Sequence, residues 1–362
     1  MTERADTSPS PFSSGHQLML LGTLAIGVGS GAIANWLQMP LPWMLGSFIG
    51  CAIASLAGLP LKGISHGREA GQVIVGLAIG MRMTATALKA TLVLLPAMMA
   101  GTLFVMAMTM VAAFLLMPLA KVDHRTAFFA TAAAGMADMA TVAQQQGGDP
   151  DVVSLTHAIR VASVVAVVPF LVVAFGKPGS LVSTGHTLSS WPLLLLALGL
   201  AWLAALLVRL LPFPNPWLIG PIFLGAILSG SGLITVTVPN ILMVMAQVLI
   251  GISLGMRFKR SLLLKLPRVV AASLAISIYM ILSSAGGAWV MSAISGLPYV
   301  TSFLALAPAA VTEMVITAKV MNLDTEIVAA FHVMRIAVIA STILLTFALF
   351  ERLEKRLRDV RC

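Results

Sequence analysis

The sequence predicts an all-α polytopic membrane protein built from two inverted repeats, with about ten transmembrane helices plus two re-entrant or broken segments. Three observations predict it: an apolar composition, an internal duplication, and the placement of basic residues in loops. Of 362 residues, 59% are hydrophobic and 10% are charged, with a mean hydropathy of +1.00. A water-soluble domain is about 45–50% apolar and about 25% charged, so that class is excluded.

The second half of the chain repeats the first. Residues 42–46, PWMLG, recur as residues 216–220, PWLIG, and the stretch from Gln72 to Arg82 recurs from Gln247 to Arg257. The polar residues that follow keep an offset of 175, so that Asp138, His157 and Arg160 correspond to Glu313, His332 and Arg335. A register held through polar positions indicates a duplication.

The duplication divides the chain into five parts. These are a cytoplasmic N-terminal segment (1–17), a first membrane repeat (18–175), a linker rich in Gly, Ser and Thr (176–190), a second membrane repeat (191–350) and a basic cytoplasmic tail (351–362). The N-terminal segment lacks the basic n-region and the cleavage site of a signal peptide, so we expect the first apolar run to be retained.

Each repeat contains six apolar segments, for which helix is the default because backbone in a bilayer must satisfy its own hydrogen bonds. The segments cover residues 18–37, 41–58, 70–81, 90–117, 126–143 and 152–175, then 191–211, 217–233, 239–256, 269–294, 301–320 and 327–350. The third segment is short in the first repeat. The fifth is interrupted in both, by Gly135 and Asp138 and by Pro308 and Glu313.

Loop charges predict the orientation. The loop 257–268 and the tail after Phe350 are the most basic stretches, so both are expected in the cytoplasm. Three apolar segments lie between these two stretches. Two stretches on the same side of the membrane must be separated by an even number of crossings, so one of the three segments does not cross. A re-entrant fifth segment leaves five crossings per repeat, inverts the second repeat and places both termini inside. Arg82 and Lys89 then lie outside, against the rule that basic residues favour the cytoplasmic side. Twelve crossings in two parallel halves are the alternative.

Asp138 and Glu313 are the first candidate site residues, because burial of an acid in the membrane is energetically unfavourable unless the acid is paired or hydrated. Each sits in a segment of small residues that can break and line a watery cavity. They predict a midplane site for a substrate or coupling ion. The alternative is static pairing of Asp138 with Arg160 and of Glu313 with Arg335.

Each repeat also carries a histidine and an arginine on one helix face. Arg160 lies nine residues beyond Asp151, hence ~13 Å into its span, and must face protein, a carboxylate or a bound anion, as must Arg335. His157 and His332 suit proton transfer, or are neutral core histidines bonded to carbonyl oxygens. Gln72 and Gln247 either line a pore or form interhelical hydrogen bonds.

The two P-W-x-x-G openings, the Q-V-x-x-G-x-x-x-G-M-R stretch and the H-x-x-R helix after an acidic segment of small residues resemble the bacterial membrane AbrB-duplication family. The resemblance covers residues from about Leu20 to Phe350. It implies a multi-pass protein of the bacterial inner membrane. At the level of fold, the family is similar to cation/proton antiporters and bile-acid symporters. Its members are variously labelled ammonia monooxygenases or regulators of gene expression.

The residues argue against both labels as direct activities. A monooxygenase needs clustered metal ligands, but the six histidines are scattered without an H-x-H or E-x-x-H motif. We therefore expect no enzyme activity, metal or cofactor. Direct DNA binding needs a folded basic domain, for which no solvated stretch is long enough, so no nucleic-acid partner is expected.

We therefore expect a secondary transporter of a small solute, anionic solutes included, coupled to H⁺ or Na⁺. Asp138 and Glu313 would bind the coupling ion or substrate, and the two arginines would engage an anionic group or neutralise the acids. The histidines would shuttle protons. The partners are then the bilayer, the solute and the ion, with homo-oligomerisation left open. The alternative is a membrane-embedded regulator that affects gene expression indirectly.

Overall fold

A computed structural model describes residues 14–175, 190–211, 215–232 and 236–359. Within these ranges every regular element is a helix. The predicted linker 176–190 lies outside the described residues except for Ser190, and most of the N-terminal segment and the last three residues of the tail also lie outside.

The described residues form sixteen helices. In the first repeat they are α1 (Ser14–Trp36), α2 (Pro42–Leu56), α3 (Gly67–Gly80), α4 (Ala85–Val93), α5 (Leu95–Ala120), α6 (His124–Thr131), α7 (Met136–Gln145) and α8 (Pro150–Phe175). In the second they are α9 (Trp191–Arg209), α10 (Pro216–Gly230), α11 (Asn240–Gly255), α12 (Arg260–Lys265), α13 (Pro267–Ser295), α14 (Tyr299–Leu306), α15 (Val311–Val320) and α16 (Thr325–Asp359).

Seven of the described helical stretches are long and apolar enough to cross a membrane by length and composition. They include most of α1, α5, α8, α9, α13 and α16, and a stretch from Asn240 to Lys265 that begins with α11. The predicted all-α membrane protein is thereby confirmed. The number of crossings and the side on which each loop lies stay predictions.

The chain divides into two compact units. The first contains residues 1–71 and 244–260, in which α11 packs against α2. A Cβ on Gly251 would lie 2.5 Å from the carbonyl oxygen of Met44, and one on Gly255 would lie 2.6 Å from that of Phe48. Only glycine permits this approach of two backbones.

The second unit contains residues 72–243 and 261–362, and in it α3 packs against α10 in the same way. A Cβ on Gly76 would lie 2.7 Å from the oxygen of Leu218, and one on Gly80 would lie 2.5 Å from that of Ile222. Within each unit, therefore, the G-x-x-x-G helix of one repeat packs on the P-W-x-x-G helix of the other repeat.

Candidate functional site

The fifth segment of the first repeat is a hairpin of two short helices. The non-helical residues 132–135 separate α6 from α7. Arg125 Nη1 donates to the carbonyl of Gln146 at 2.8 Å, and the amide of Asp149 donates to Thr126 Oγ1 at 2.8 Å. The start of α6 therefore lies beside the end of α7, so the chain enters and leaves at one end.

The second repeat contains the equivalent hairpin. Its tip is formed by residues 307–310, between α14 and α15. Thr301 Oγ1, near the start of α14, donates to Asp324 Oδ2 at 3.2 Å, and Asp324 directly precedes α16. The start of α14 thus lies beside the connection that follows α15.

The two hairpins enter the second unit from opposite ends. Thr301 of α14 bonds to Asp324 and therefore lies beside the start of α16. His124, the first residue of α6, instead contacts Glu351 near the other end of α16, with Nε2 and Oε1 3.3 Å apart. Along a helix, 26 residues span ~39 Å, about the thickness of a bilayer with its headgroup regions. The tips therefore point toward each other.

In the first repeat, the tip is held by Arg160 of α8. Its Nη1 donates to the carbonyl oxygens of Thr131 and Ala132, both at 2.9 Å, and its Nη2 lies 3.1 Å from His157 Nδ1. The carbonyls at a helix C-terminus lack intrahelical partners and carry a partial negative charge. The guanidinium satisfies them and neutralises that charge at the end of α6.

Arg335 of α16 repeats the arrangement on the second tip. Its Nη1 donates to Ala307 and its Nη2 to Ala309, both at 2.9 Å, and Nη2 lies 2.8 Å from His332 Nδ1. Both arginines are buried, with 4% and 3% of their surface exposed. We call each arginine with its histidine an Arg-His clamp. Each guanidinium group thus donates to two carbonyl oxygens of its hairpin.

Each histidine of a clamp uses both ring nitrogens. Nε2 of His157 lies 2.9 Å from the oxygen of Phe129, and Nε2 of His332 lies 2.9 Å from that of Leu304. A carbonyl only accepts and a guanidinium only donates, so the network assigns the neutral tautomer with its proton on Nε2. This is the geometry of the carbonyl-bonded core histidine, the second interpretation of the sequence.

The two acids occupy equivalent positions in different environments. Asp138 and Glu313 are each the third residue of a half-helix, α7 or α15, whose N-cap residue makes no side-chain capping bond. The positive helix N-terminus favours a carboxylate there. Asp138 is exposed, however, whereas Glu313 is 0% exposed. Residues 311–318 are all buried, while α7 is only partly so.

The clamps set the depth of the tips. Arg160 and Arg335 each lie ten residues after the first residue of their helix, hence ~15 Å along it. The hydrocarbon core is ~30 Å thick, so for spans that begin at a membrane boundary we expect both tips near its middle.

The two glutamines have different surroundings. Gln72 is buried, and its Nε2 donates to Thr312 Oγ1 at 3.2 Å, directly beside Glu313. Gln247 is also buried but belongs to the first unit. Gln72 thus joins the second hairpin.

The sequence did not identify Thr312 or the hairpin carbonyls as parts of the site. A carbonyl oxygen has no signature in sequence. The hydroxyl of Thr312 could have been noticed only as a polar neighbour of Glu313 in an apolar run.

Comparisons with known proteins agree with the resemblance seen in the motifs. Residues 43–351 match the family AbrB, described as transition state regulatory protein AbrB. The chain is similar to the uncharacterized protein YhjN of Bacillus subtilis, with 27% identity over 93% of this chain and 94% of that protein. It is also similar to an Escherichia coli protein named "Putative regulator AbrB", with 27% identity over 88% and 91% of the two chains.

Proposed function

The chain belongs to the AbrB family, and from that premise we propose that it is a secondary transporter, which moves a small solute across the inner membrane coupled to H⁺ or Na⁺. The observation that carries the proposal is the pair of oppositely directed hairpins, each with an Arg-His clamp and an acid at the start of its second helix. Discontinuous helices that meet at mid-depth are how secondary transporters build binding sites.

In this proposal the acids carry the ion chemistry. A carboxylate can bind H⁺ or Na⁺, and its neutralisation changes the cost of keeping it in an apolar environment. The N-termini of α7 and α15, whose N-cap residues make no side-chain capping bond, would bind an anionic part of the solute through their backbone N–H groups. The clamps position the tips, so that Arg160 and Arg335 shape the site without releasing their carbonyl partners.

The difference between the acids supports alternating access. A transporter must expose its site to one side at a time, and here one acid is exposed while its equivalent is sealed. In the opposite state we expect Glu313 to become accessible and Asp138 to become covered. Because the two hairpins are inverted copies of one another, the state with Asp138 exposed and the state with Glu313 exposed would have similar packing.

Reconstituted protein tests the proposal. In proteoliposomes that contain a pH-sensitive dye, an imposed Na⁺ gradient or a solute from a panel of organic anions should move protons or solute. Asp138→Asn and Glu313→Gln should abolish that flux. Asp151→Asn, which neutralises an exposed acid in the first turn of α8, is the matched control and should retain it. Equal flux in all variants would refute the proposal.

The name of the Escherichia coli relative supports a second candidate, a membrane-embedded regulator. Such a protein would act through a bound partner and would need no flux. If no gradient or solute moves in proteoliposomes, and deletion of the gene changes expression through a partner that co-purifies with the protein, the regulator is favoured.

A further inference from the structure

An ion pair in the second unit joins two helices that are far apart in the sequence. Arg82 Nε lies 2.6 Å from Glu326 Oε1. Arg82 lies in the turn between α3 and α4, and Glu326 is the second residue of α16. The side chain of Glu326 is 15% exposed, whereas that of Arg82 is 43% exposed. The pair therefore ties the end of α3 to the start of α16 at the surface of the protein.

The same two helices bond to the second hairpin deeper in the protein. From α3, Gln72 donates to Thr312, the neighbour of Glu313. From α16, Arg335 donates to two carbonyl groups at the hairpin tip. The hairpin that carries the buried acid is thus bonded to both of the helices that the ion pair joins.

The ion pair lies at a similar distance from both of these contacts. Along α3, the eight residues from Gln72 to Gly80, where the helix ends, span ~12 Å. Along α16, the nine residues from Glu326 to Arg335 span ~14 Å. The pair therefore lies well away from the tip, toward the end of α16 beside which the second hairpin begins.

We propose that the Arg82–Glu326 ion pair is a gate that keeps the second hairpin closed, an inference that rests on the proposed transport function. While the pair is intact, the ends of α3 and α16 are held together and Glu313 is sealed. When the pair opens, these two ends separate, and water and the solute reach Glu313 from that side.

The strength of the pair suits a gate. Because Arg82 is partly exposed, water can solvate both charges when they separate, and ion pairs of this kind contribute little to stability. A contact that breaks and re-forms in every transport cycle has to be weak, since a ligand shifts an equilibrium only by its difference in affinity for the two states. The buried clamp bonds, by contrast, stay intact in both states.

The burial of the acids agrees with a gate that is closed on one side only. The residue equivalent to Glu326 at the offset of 175 is Asp151. Asp151 is exposed, and so is Asp138 on the first hairpin. On the second side, Glu326 is largely covered and Glu313 is completely buried.

Labelling of a buried thiol in nanodiscs tests the gate without a flux measurement. In a background with Cys51→Ala and Cys362→Ala, Val311→Cys places the thiol at the start of α15, where the valine is 1% exposed, and keeps Glu313 in place. Gln variants of the ion pair, R82Q and E326Q, should each raise its labelling rate about two- to fivefold, the range expected for a partly exposed ion pair.

Two controls separate a gate from a general loosening of the protein. Asp151→Asn, which neutralises the exposed equivalent of Glu326, should leave the labelling of Val311→Cys unchanged. Met136→Cys places a thiol at the equivalent position of the first hairpin, and the Gln variants of the ion pair should not raise its labelling rate.

A reversible cross-link tests whether the gate has to open for transport. In the double variant Arg82→Cys with Glu326→Cys, a short bis-thiosulfonate reagent should stop downhill flux in proteoliposomes, and a reductant that cleaves the link should restore it. The single variant Arg82→Cys, treated in the same way, should retain its flux.

Different results would overturn the gate and the transporter. Unchanged labelling of Val311→Cys in both Gln variants, or flux that persists in the cross-linked protein, would overturn the gate and leave the transport function intact. Equal acceleration of labelling at Met136→Cys would show general loosening and would also overturn the gate. Absence of flux from the parent protein would refute the transport function itself, and the gate with it.

Discussion

Arg335 Nη2 lies 2.8 Å from Nδ1 of His332, and this pair holds the carbonyl groups at the tip of the α14–α15 hairpin. The equivalent clamp on α8 holds the other tip with nearly the same distances. The repeated geometry means that the arginines stabilise two helix breaks that would otherwise leave buried carbonyl groups unsatisfied.

Replacement of either clamp arginine by lysine should destabilise the protein. Lysine is a point charge and cannot match the fork by which Arg335 reaches Ala307, Ala309 and His332 at once. Each buried acceptor left without a donor costs about 1–3 kcal/mol. Arg160→Lys and Arg335→Lys should therefore lower the thermal unfolding temperature in detergent, while Arg352→Lys, at an exposed position of α16, should not. An unchanged unfolding temperature in both clamp variants would contradict the capping role.

The histidines give a second prediction, which separates positioning from proton transfer. Glutamine cannot titrate, but its amide both donates and accepts as the neutral imidazole does. If His332 only orients Arg335 and the carbonyl of Leu304, His332→Gln should keep most of the stability and flux, and His332→Ala should lose both. A His332→Gln protein that folds normally yet no longer couples flux to protons would instead assign the shuttle role to this histidine.

The breaks were predictable from sequence, whereas the environments of the acids were not. Small residues and the helix-breaking Pro308 and Gly135 interrupt runs that are otherwise apolar, and the non-helical residues are indeed 132–135 and 307–310. Asp138 and Glu313 stand in nearly identical local patterns. Their different burial depends on which helices pack over α7 and α15. That packing is a property of the tertiary structure and cannot be read from the local sequence.

The different burial leads to a third prediction. In a background with Cys51→Ala and Cys362→Ala, Asp138→Cys should react with a membrane-impermeant thiol reagent at least ten times faster than Glu313→Cys. Asp138 is exposed, whereas Glu313 is completely buried, and reaction requires contact with the thiolate in water. Comparable labelling rates in the resting protein would show that the two tips are equally accessible, contrary to the asymmetry.

The hairpins make a fourth prediction, about topology. The loop after α7 and the loop after α15 lie toward opposite ends of α16. Gln145→Cys and Asn322→Cys, both at exposed positions, should therefore be labelled from opposite sides of the membrane, Asn322→Cys from outside. Labelling in right-side-out and inverted vesicles distinguishes the sides, with the tail, which is predicted to be cytoplasmic, as reference. An internal signal at both positions would contradict the re-entrant arrangement.

The glycine contacts give the last prediction, which a matched pair of variants tests. Gly80→Ala places a methyl group 2.5 Å from the oxygen of Ile222 and 2.9 Å from the Cα of Gly225, and both neighbours are backbone that can move only if α3 and α10 separate. Gly22→Ala, in the helix α1, meets nothing within 4 Å. Overpacking typically costs about 1–3 kcal/mol, whereas alanine in an open helical position stabilises by about 0.4–1 kcal/mol. Thermal unfolding should therefore shift down for Gly80→Ala and stay level or rise for Gly22→Ala. If both variants unfold at the temperature of the parent protein, α3 and α10 have room to adjust and the close contact does not limit stability.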